Sequence, residues 1–274
     1  MTRRNYETYL GLFSEFLGSE DITRATKSDM NRWVASLRER KLKDSSMSTN
    51  MSYVRAFFKW LVLNEHRADD PTGVFKSITL KPSQAAPKPL SADNRERLRK
   101  CLTWDTIPEM QKSIFVLVAE TTGLRRHELC KMKWEDIDFE KKSIRGVGKG
   151  DKPFNLHLPP NTIERLDSYK EALRKNSLFG VYVLFSNDTP SHPLPYHLPW
   201  DWMCEIKERL GLPKETKLTP HCMRHDFTST IMQSGKVPID QAMKMTRHSK
   251  AETLMRYNEV LEAEISKKSD AIFG

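Results

Sequence analysis

No stretch of the 274-residue sequence approaches the roughly 18 consecutive apolar residues that a membrane span requires. The opening residues, MTRRNYETYLGLF, carry two arginines but no apolar core followed by a small-residue cleavage site. They read as the start of an amphipathic helix and not as a secretory signal. Cysteine is scarce: Cys101, Cys130, Cys204 and Cys222 lie far apart with no CxxC pair. That usage is too sparse for a disulfide framework and too scattered for a zinc site, and it fits free thiols in a reducing cytoplasm. A nucleotide-binding glycine loop is missing too. Gly146-Val147-Gly148-Lys149-Gly150-Asp151 has Gly150 where a P-loop places Ser or Thr, and Ser143 stands where its first glycine belongs. The segment reads as a Gly-rich hairpin with Lys149 at its tip. No internal repeat or long low-complexity tract interrupts the chain.

What is present describes a globular protein of two compact domains: mean hydropathy is −0.62, with 30% charged and 38% hydrophobic residues. Net charge is +9, and residues 1–84 hold 14 Lys/Arg against 10 Asp/Glu, so both halves are positive. Charge shared in this way suits two parts that both touch a polyanion. In the first 80 residues, Tyr6, Tyr9, Phe13 and Phe16 recur at helical spacing, as do Trp33 with Leu37, and Tyr53, Phe57, Trp60 and Leu61. Core packing accounts for these aromatics. Gly18, Lys43-Asp44-Ser45-Ser46 and Asp69-Asp70-Pro71 punctuate the helices. Arg55 and Lys59, four apart, share a helix face on which they either meet DNA phosphates or stand as a solvated pair. Residues 81–90, with KPSQAAPKP at positions 81–89, form a semi-rigid linker. Beyond it a helical run starts at Ser91, and the alternation from Glu135 to Leu158 predicts short strands around the Gly146–Gly150 turn. Helices are expected near Asn161–Lys175, Trp200–Leu210, Thr219–Gln233 and Ser249–Tyr257.

Three segments concentrate chemistry. In Thr219-Pro220-His221-Cys222-Met223-Arg224-His225, Thr219 is a good N-cap and Pro220 suits the first helical position. His221 and Arg224 then share one face of the first turn, beside unpaired N–H groups that favour a bound phosphate. In Arg247-His248-Ser249-Lys250-Ala251-Glu252, the Ser249/Glu252 pair predicts a capping box and so a helix start just after His248. Nine residues separate His248 from Tyr257, about 900° along one straight helix, so only a break lets both reach a common centre. In Thr122-Gly123-Leu124-Arg125-Arg126-His127-Glu128-Leu129, Arg125 follows a glycine turn into a helix, with Glu128 close enough to orient a guanidinium.

In this order the segments resemble the tyrosine recombinase (phage integrase) family. Its catalytic domain carries TGLR-x-x-E, a lysine on a β-hairpin, an H-x-x-R helix, a following His or Trp, and a tyrosine nine residues beyond. The match here is TGLRRHE, Lys149, HCMR, His248 and Tyr257, over roughly residues 90–260. The resemblance implies a mainly α fold with a small β-sheet or hairpin in the catalytic domain. It divides the chain into an N-terminal helical core-binding-like domain (1–80), a linker (81–90) and a mixed α+β catalytic domain with a C-terminal tail (91–274). Two residues depart from the pattern. Arg247 stands where glycine is common and is expected to alter the turn that places His248, and His127 replaces a small residue and is expected to add a phosphate contact.

By the same resemblance the protein cleaves and rejoins DNA through a 3′-phosphotyrosyl bond at Tyr257, with no cofactor, metal or ATP. Arg125 and Arg224 clamp the scissile phosphate, and His221 assists as general base at Tyr257. Lys149 protonates the leaving 5′-oxygen, His248 hydrogen-bonds the phosphate, and Glu128 holds the site in shape. Two arginines and a histidine offset the charge that gathers on the attacked phosphate, and a phenol with a pKa of roughly 10 needs a neighbour to take its proton. Implied partners are double-stranded DNA at a specific site, further copies of the chain as a tetramer on two duplexes, and accessory DNA-bending proteins; no membrane is implied. Residues 261–274 either pass to a neighbouring copy or fold back on their own chain. Helices that start almost at Met1 imply a simple recombinase without an additional arm-binding domain. The competing readings are DNA relaxation like that of a type IB topoisomerase, and a catalytically inactive DNA-binding protein.

Overall fold

The computed structural model of the chain describes residues 3–19, 21–78, 89–148, 150–186, 189–255 and 257. Backbone contacts divide the chain into two units, Met1–Ala85 and Ala86–Gly274. The architecture is mainly helical with one small sheet, as the sequence predicts.

The first unit is built from α1 (Arg3–Leu17), α2 (Lys27–Glu39) and α3 (Asp44–Leu63), followed by a 3₁₀ segment, Pro71–Ser77. Gly18, with φ 63°, follows the last residue of α1, and Asp70 accepts the Thr72 N–H at 2.8 Å at the start of the 3₁₀ turn. Phe13, Met30, Trp33, Leu37, Val54 and Phe58 fill the core. The predicted core aromatics of α3 need correction. Tyr53, Val54, Phe58 and Leu61 form its buried stripe, while Trp60 is 52% exposed and lies against His66, their ring centroids 5.3 Å apart. Phe57 and Phe58 are adjacent, so a helix cannot turn both fully inward. Arg55 is half-buried with its guanidinium 5.5 Å from the Phe75 ring centroid, and Lys59, one turn on, is exposed.

The second unit begins with α4 (Ala92–Lys100), capped by Ser91, and α5 (Ile107–Thr122), capped by Thr106 with a proline in its first turn. Ile114, Phe115, Val116, Val118 and Ala119 are each no more than 1% exposed, which marks α5 as a helix buried nearly all round. Burial of each large side chain is worth about 1.5–3 kcal/mol, and α5 is thereby fixed between α7 (Pro160–Lys175), α8 (Leu198–Arg209) and α9 (Pro220–Gln233). The short α6 (Arg126–Cys130) follows α5. The predicted strands form an antiparallel meander, β1 (Ile137–Asp138), β2 (Ser143–Val147) and β3 (Pro153–His157), with Ile144 paired to Leu156 and Gly146 to Phe154. Two short helices close the described chain, α10 (Ile239–Thr246), which the sequence pattern did not single out, and α11 (Ala251–Met255). The break before α11 falls where it was predicted, but the helix starts at Ala251, and Tyr257 sits in a turn beyond it with its N–H donated to the Leu254 carbonyl at 3.0 Å.

Candidate active site

Four segments, all in the second unit, converge on one centre. At the end of α5, Gly123 takes a left-handed conformation (φ 60°) and donates its N–H to the Ala119 carbonyl. A Cβ there would lie 2.3 Å from the Phe227 ring of α9, so the turn admits only glycine. It delivers Arg125 in extended backbone at the head of α6, where its own N–H donates to Glu128 Oε2 at 2.7 Å. The Arg125 guanidinium reaches the other carboxylate oxygen at 3.2 Å. Arg125 thus combines a pinned backbone with a side chain 32% open to solvent.

The helix start at Thr219 is as the sequence predicts: its hydroxyl accepts the Cys222 N–H at 3.1 Å, and Pro220 occupies the first turn of α9. Arg224, one turn in, is 6% exposed and donates to two backbone carbonyls, those of Gly123 and Thr246. Both partners are neutral, so among the described residues no hydrogen-bonded carboxylate offsets the charge of this buried guanidinium, although the nearby Glu128 acts in its favour. Burial, then Arg125 and Arg247 nearby, push its pKa down to about 10. A buried cation held below its usual value beside two more cations is a place prepared for an anion. His221 is exposed at the same end of α9, and packing of its inner edge, then Arg224, Arg125 and Arg126, lower its pKa.

The third segment is the turn between α10 and α11. Arg247 departs from glycine at a position of φ 56° and ψ 41°, which explains why glycine suits it. Arg247 holds this left-handed geometry itself, and its long side chain extends away from the turn. It reaches Glu128 with both terminal nitrogens, at 3.1 and 2.7 Å, and lies 4.4 Å from the Phe154 ring centroid on β3. Glu128 is buried, which favours its neutral form, but the bonds from Arg247 and the Arg125 amide outweigh that and hold its carboxyl below the usual range. His248 follows, with Nδ1 2.8 Å from the Thr246 hydroxyl. Burial, then Arg224, Arg125 and Arg247, push its imidazole down to about 4.

Tyr257 completes the centre at 7% exposure. Its ring centroid lies 6.0 Å from that of His248. Burial raises its pKa while Arg224 pulls the other way, so the resting side chain is a neutral phenol. Its hydroxyl is bonded to Nδ1 of His225, a residue of the α9 motif to which the sequence pattern assigns no role. His225 in turn meets His221 edge-on, their centroids 4.2 Å apart. The signal was available, since positions 221 and 225 are one helical turn apart and share a face.

Of the predicted site residues, Arg125, Glu128, His221, Arg224, His248 and Tyr257 are brought together. Lys149 lies outside the described residues, although the hairpin meant to carry it is in place, with Gly148 N–H donated to the Lys152 carbonyl at 2.8 Å. His127 is exposed on α6. Arg55 and Lys59 belong to the other unit. Among the described residues no three His, Cys, Asp or Glu side chains cluster as a metal site would require.

Comparison with known proteins gives a consistent picture. A model described as the phage integrase family matches residues 88–264, and one for a phage integrase N-terminal SAM-like domain matches residues 1–65. Tyrosine recombinase XerD of Rhizobium meliloti (strain 1021) is 26% identical over 270 residues, covering 95% of this chain and 85% of that protein. Tyrosine recombinase XerA of Pyrococcus furiosus is 27% identical over 264 residues, covering 94% and 84%. Among solved structures, XerH site-specific recombinase bound to palindromic difH substrate in a post-cleavage complex superposes with a TM-score of 0.75 at 18% identity, covering 98% of this chain and 78% of that one. The Tn1549 transposon integrase in complex with transposon right end DNA gives 0.74 at 15% identity, covering 100% and 95%. At such identities the two structures speak for the fold.

Proposed function

The chain belongs to the phage integrase family, and on that premise we propose that it is a tyrosine site-specific DNA recombinase whose nucleophile is Tyr257. One observation carries the residue assignment: the Tyr257 phenol is gathered with Arg125 from the α5–α6 turn, His221 and Arg224 from α9, and His248 from the α10–α11 turn. Arg125 and Arg224 hold the non-bridging oxygens of the scissile phosphate, and His248 adds a hydrogen bond as charge builds there. Glu128 keeps both Arg125 and the His248 turn in position. His221 assists proton removal from Tyr257, and Lys149 supplies the proton for the leaving 5′-oxygen. Attack forms a 3′-phosphotyrosyl ester that conserves the bond for religation.

Residues 1–80 act as the core-binding domain, joined by the linker at 81–90, with Arg55 and Lys59 facing phosphates. Four copies assemble on two duplexes, and accessory DNA-bending proteins bias the outcome between integration, excision and resolution. No described helix is long and apolar enough to cross a membrane, and the place of action is the cytoplasm, on DNA. The C-terminal tail, 261–274, lies outside the described residues and keeps both of its readings. The topoisomerase-like and inactive alternatives find no specific support, and the curated relatives are named as recombinases.

The experiment uses duplexes enriched by binding from a random-sequence pool, then nicked beside the cleavage position so that the free end diffuses away. Wild type accumulates a protein–DNA adduct, while Tyr257→Phe binds the same duplex and forms none. Paired sites on one plasmid give recombined circles. Relaxed plasmid irrespective of sequence, with no recombined product, would favour the topoisomerase-like reading.

A further inference from the structure

The hydroxyl of Tyr257 makes one hydrogen bond among the described residues, and its partner is Nδ1 of His225. The two rings lie with centroids 5.6 Å apart. His221 packs edge-on behind His225, whereas His248 already has its Nδ1 engaged by the Thr246 hydroxyl. We propose that His225 takes the proton of Tyr257 directly as the phenolic oxygen attacks phosphorus, making it a catalytic residue of the reaction. The inference rests on the recombinase reading and gives His221 a supporting place behind the base.

The protonation states suit the step. Burial, then His221, Arg224 and His248, push His225 down to about 4, and burial keeps Tyr257 neutral. The phenol O–H therefore donates to an unprotonated Nδ1, with the ring proton on Nε2. Among the described residues, the groups acting on His225 are cationic or neutral: His221 and Arg224 from its own helix, His248 from the α10–α11 turn, and Tyr257 itself. A proton gained there is unfavourable until charge builds on the attacked phosphate between the arginines in the transition state. The nucleophile is thus held as an inert phenol in the absence of DNA and becomes competent when the cage is filled.

The step balances. As Oη–P forms, the Oη–H bond breaks and its proton moves to His225 Nδ1. The P–O5′ bond breaks with its electron pair, and the 5′-oxygen takes a proton from the site's acid. On religation the 5′-hydroxyl attacks phosphorus and gives its proton back to the site's acid, the phosphotyrosyl bond breaks, and His225 returns its proton to the departing phenolate.

The test uses the full chain and a nicked duplex whose scissile phosphate carries a bridging 5′-sulfur, since a thiolate leaves without needing a proton. Single-turnover adduct formation is followed between about pH 6 and 8, where a base of low pKa stays neutral. Wild type gives a nearly flat profile. His225→Gln, which can hold the hydroxyl but not accept its proton, is slower by roughly 100-fold or more at neutral pH. Its rate climbs about tenfold per pH unit as phenolate takes over. His221→Gln keeps the flat profile.

The proposal is overturned if His225→Gln stays within about threefold of wild type, or if the sloping profile belongs to His221→Gln instead. Duplex affinity reports folding of each variant. Should His225→Gln lose it, ring-fluorinated tyrosine at position 257 in the otherwise unchanged chain decides the matter. A profile that remains flat supports the base, and one rising tenfold per pH unit refutes it. Absence of any adduct from wild type would instead sink the recombinase reading beneath it.

Discussion

Arg247 and Glu128, 119 residues apart in sequence, meet as a two-pronged ion pair, Nη1 to Oε1 at 3.1 Å and Nη2 to Oε2 at 2.7 Å. The contact ties the turn bearing His248 to the turn bearing Arg125, and Phe154 of the β-hairpin lies under the same guanidinium. Two of the segments that build the site, together with the β-hairpin, are thus joined by one side chain. Replacing it with glycine relieves a left-handed backbone at a gain of up to ~1 kcal/mol, but leaves a carboxylate that is only 5% exposed with half its partners. Breaking a buried pair costs about 3–5 kcal/mol. Arg247→Gly is therefore expected to lose roughly 2 kcal/mol in urea denaturation and to slow adduct formation more than it weakens DNA binding. A variant as stable and as active as wild type would show the pair to be incidental.

Gly123 and Phe227 make a second close approach. Gly123→Ala brings a methyl within 2.3 Å of the ring and places alanine at φ 60°, for an expected loss of about 2–4 kcal/mol. Adding Phe227→Leu removes the overlap but not the backbone cost, so roughly half of the loss returns. Thermal unfolding of the single and double variants measures both terms.

Asp226, on the face of α9 away from Tyr257, is 1% exposed, accepts the Leu90 N–H at 3.1 Å, and lies 3.9 Å from Arg95. Burial raises its carboxyl to about 6 from 3.8, with Arg95 pulling the other way. The folded state therefore favours the protonated acid. Its contribution is complete below the unfolded value and is lost as pH rises through about 6. Asp226→Asn keeps a carbonyl for Leu90 and carries no charge. The variant is expected to gain stability relative to wild type by up to ~3 kcal/mol at pH 7–8 and nothing near pH 4, read as the difference in urea midpoint against pH.

His225 and His248 act with the opposite sign. Both are held near 4 against an ordinary 6.5. Their contribution is full above the ordinary value and is lost as pH falls toward 4, because the unfolded chain takes up the protons first. Substituting both by glutamine should flatten the acid limb of stability by roughly 1–2 kcal/mol per histidine. An unchanged slope below pH 6 would mean that the imidazoles are better solvated than their packing implies.

Net charge of +9 and a cage with three arginines and a single carboxylate predict strongly salt-dependent binding. Contact with six or more phosphates lowers affinity by about 10³ between 50 and 200 mM salt. Fluorescence anisotropy on a labelled duplex reads this directly, and a flat titration would argue against a DNA clamp.

Much of the architecture is legible without coordinates, for local reasons. Thr219 and Pro220 begin α9 because a capping hydroxyl and a fixed φ act within one turn. The alternation around Ile144 and Leu156 marks the meander because strand burial has a period of two. What escaped the sequence depends on tertiary neighbours. Arg247 reads as an anomaly until Glu128, brought in from another helix, supplies its partner. His225 looks like an incidental neighbour of Arg224 until the turn after α11 lays Tyr257 against it. Trp60 shares the helical spacing of the core aromatics, but periodicity alone does not say which of two adjacent aromatic rows is buried.

Mapping the covalent bond itself bears most directly on the central claim. An adduct trapped on a nicked duplex is digested with nuclease and trypsin, and the remnant nucleotide is located by tandem mass spectrometry. A phosphate ester on Tyr257, in the peptide that begins at that residue, is the predicted result. The same remnant on a serine or on any other tyrosine, or an adduct formed equally well by Tyr257→Phe, would contradict it.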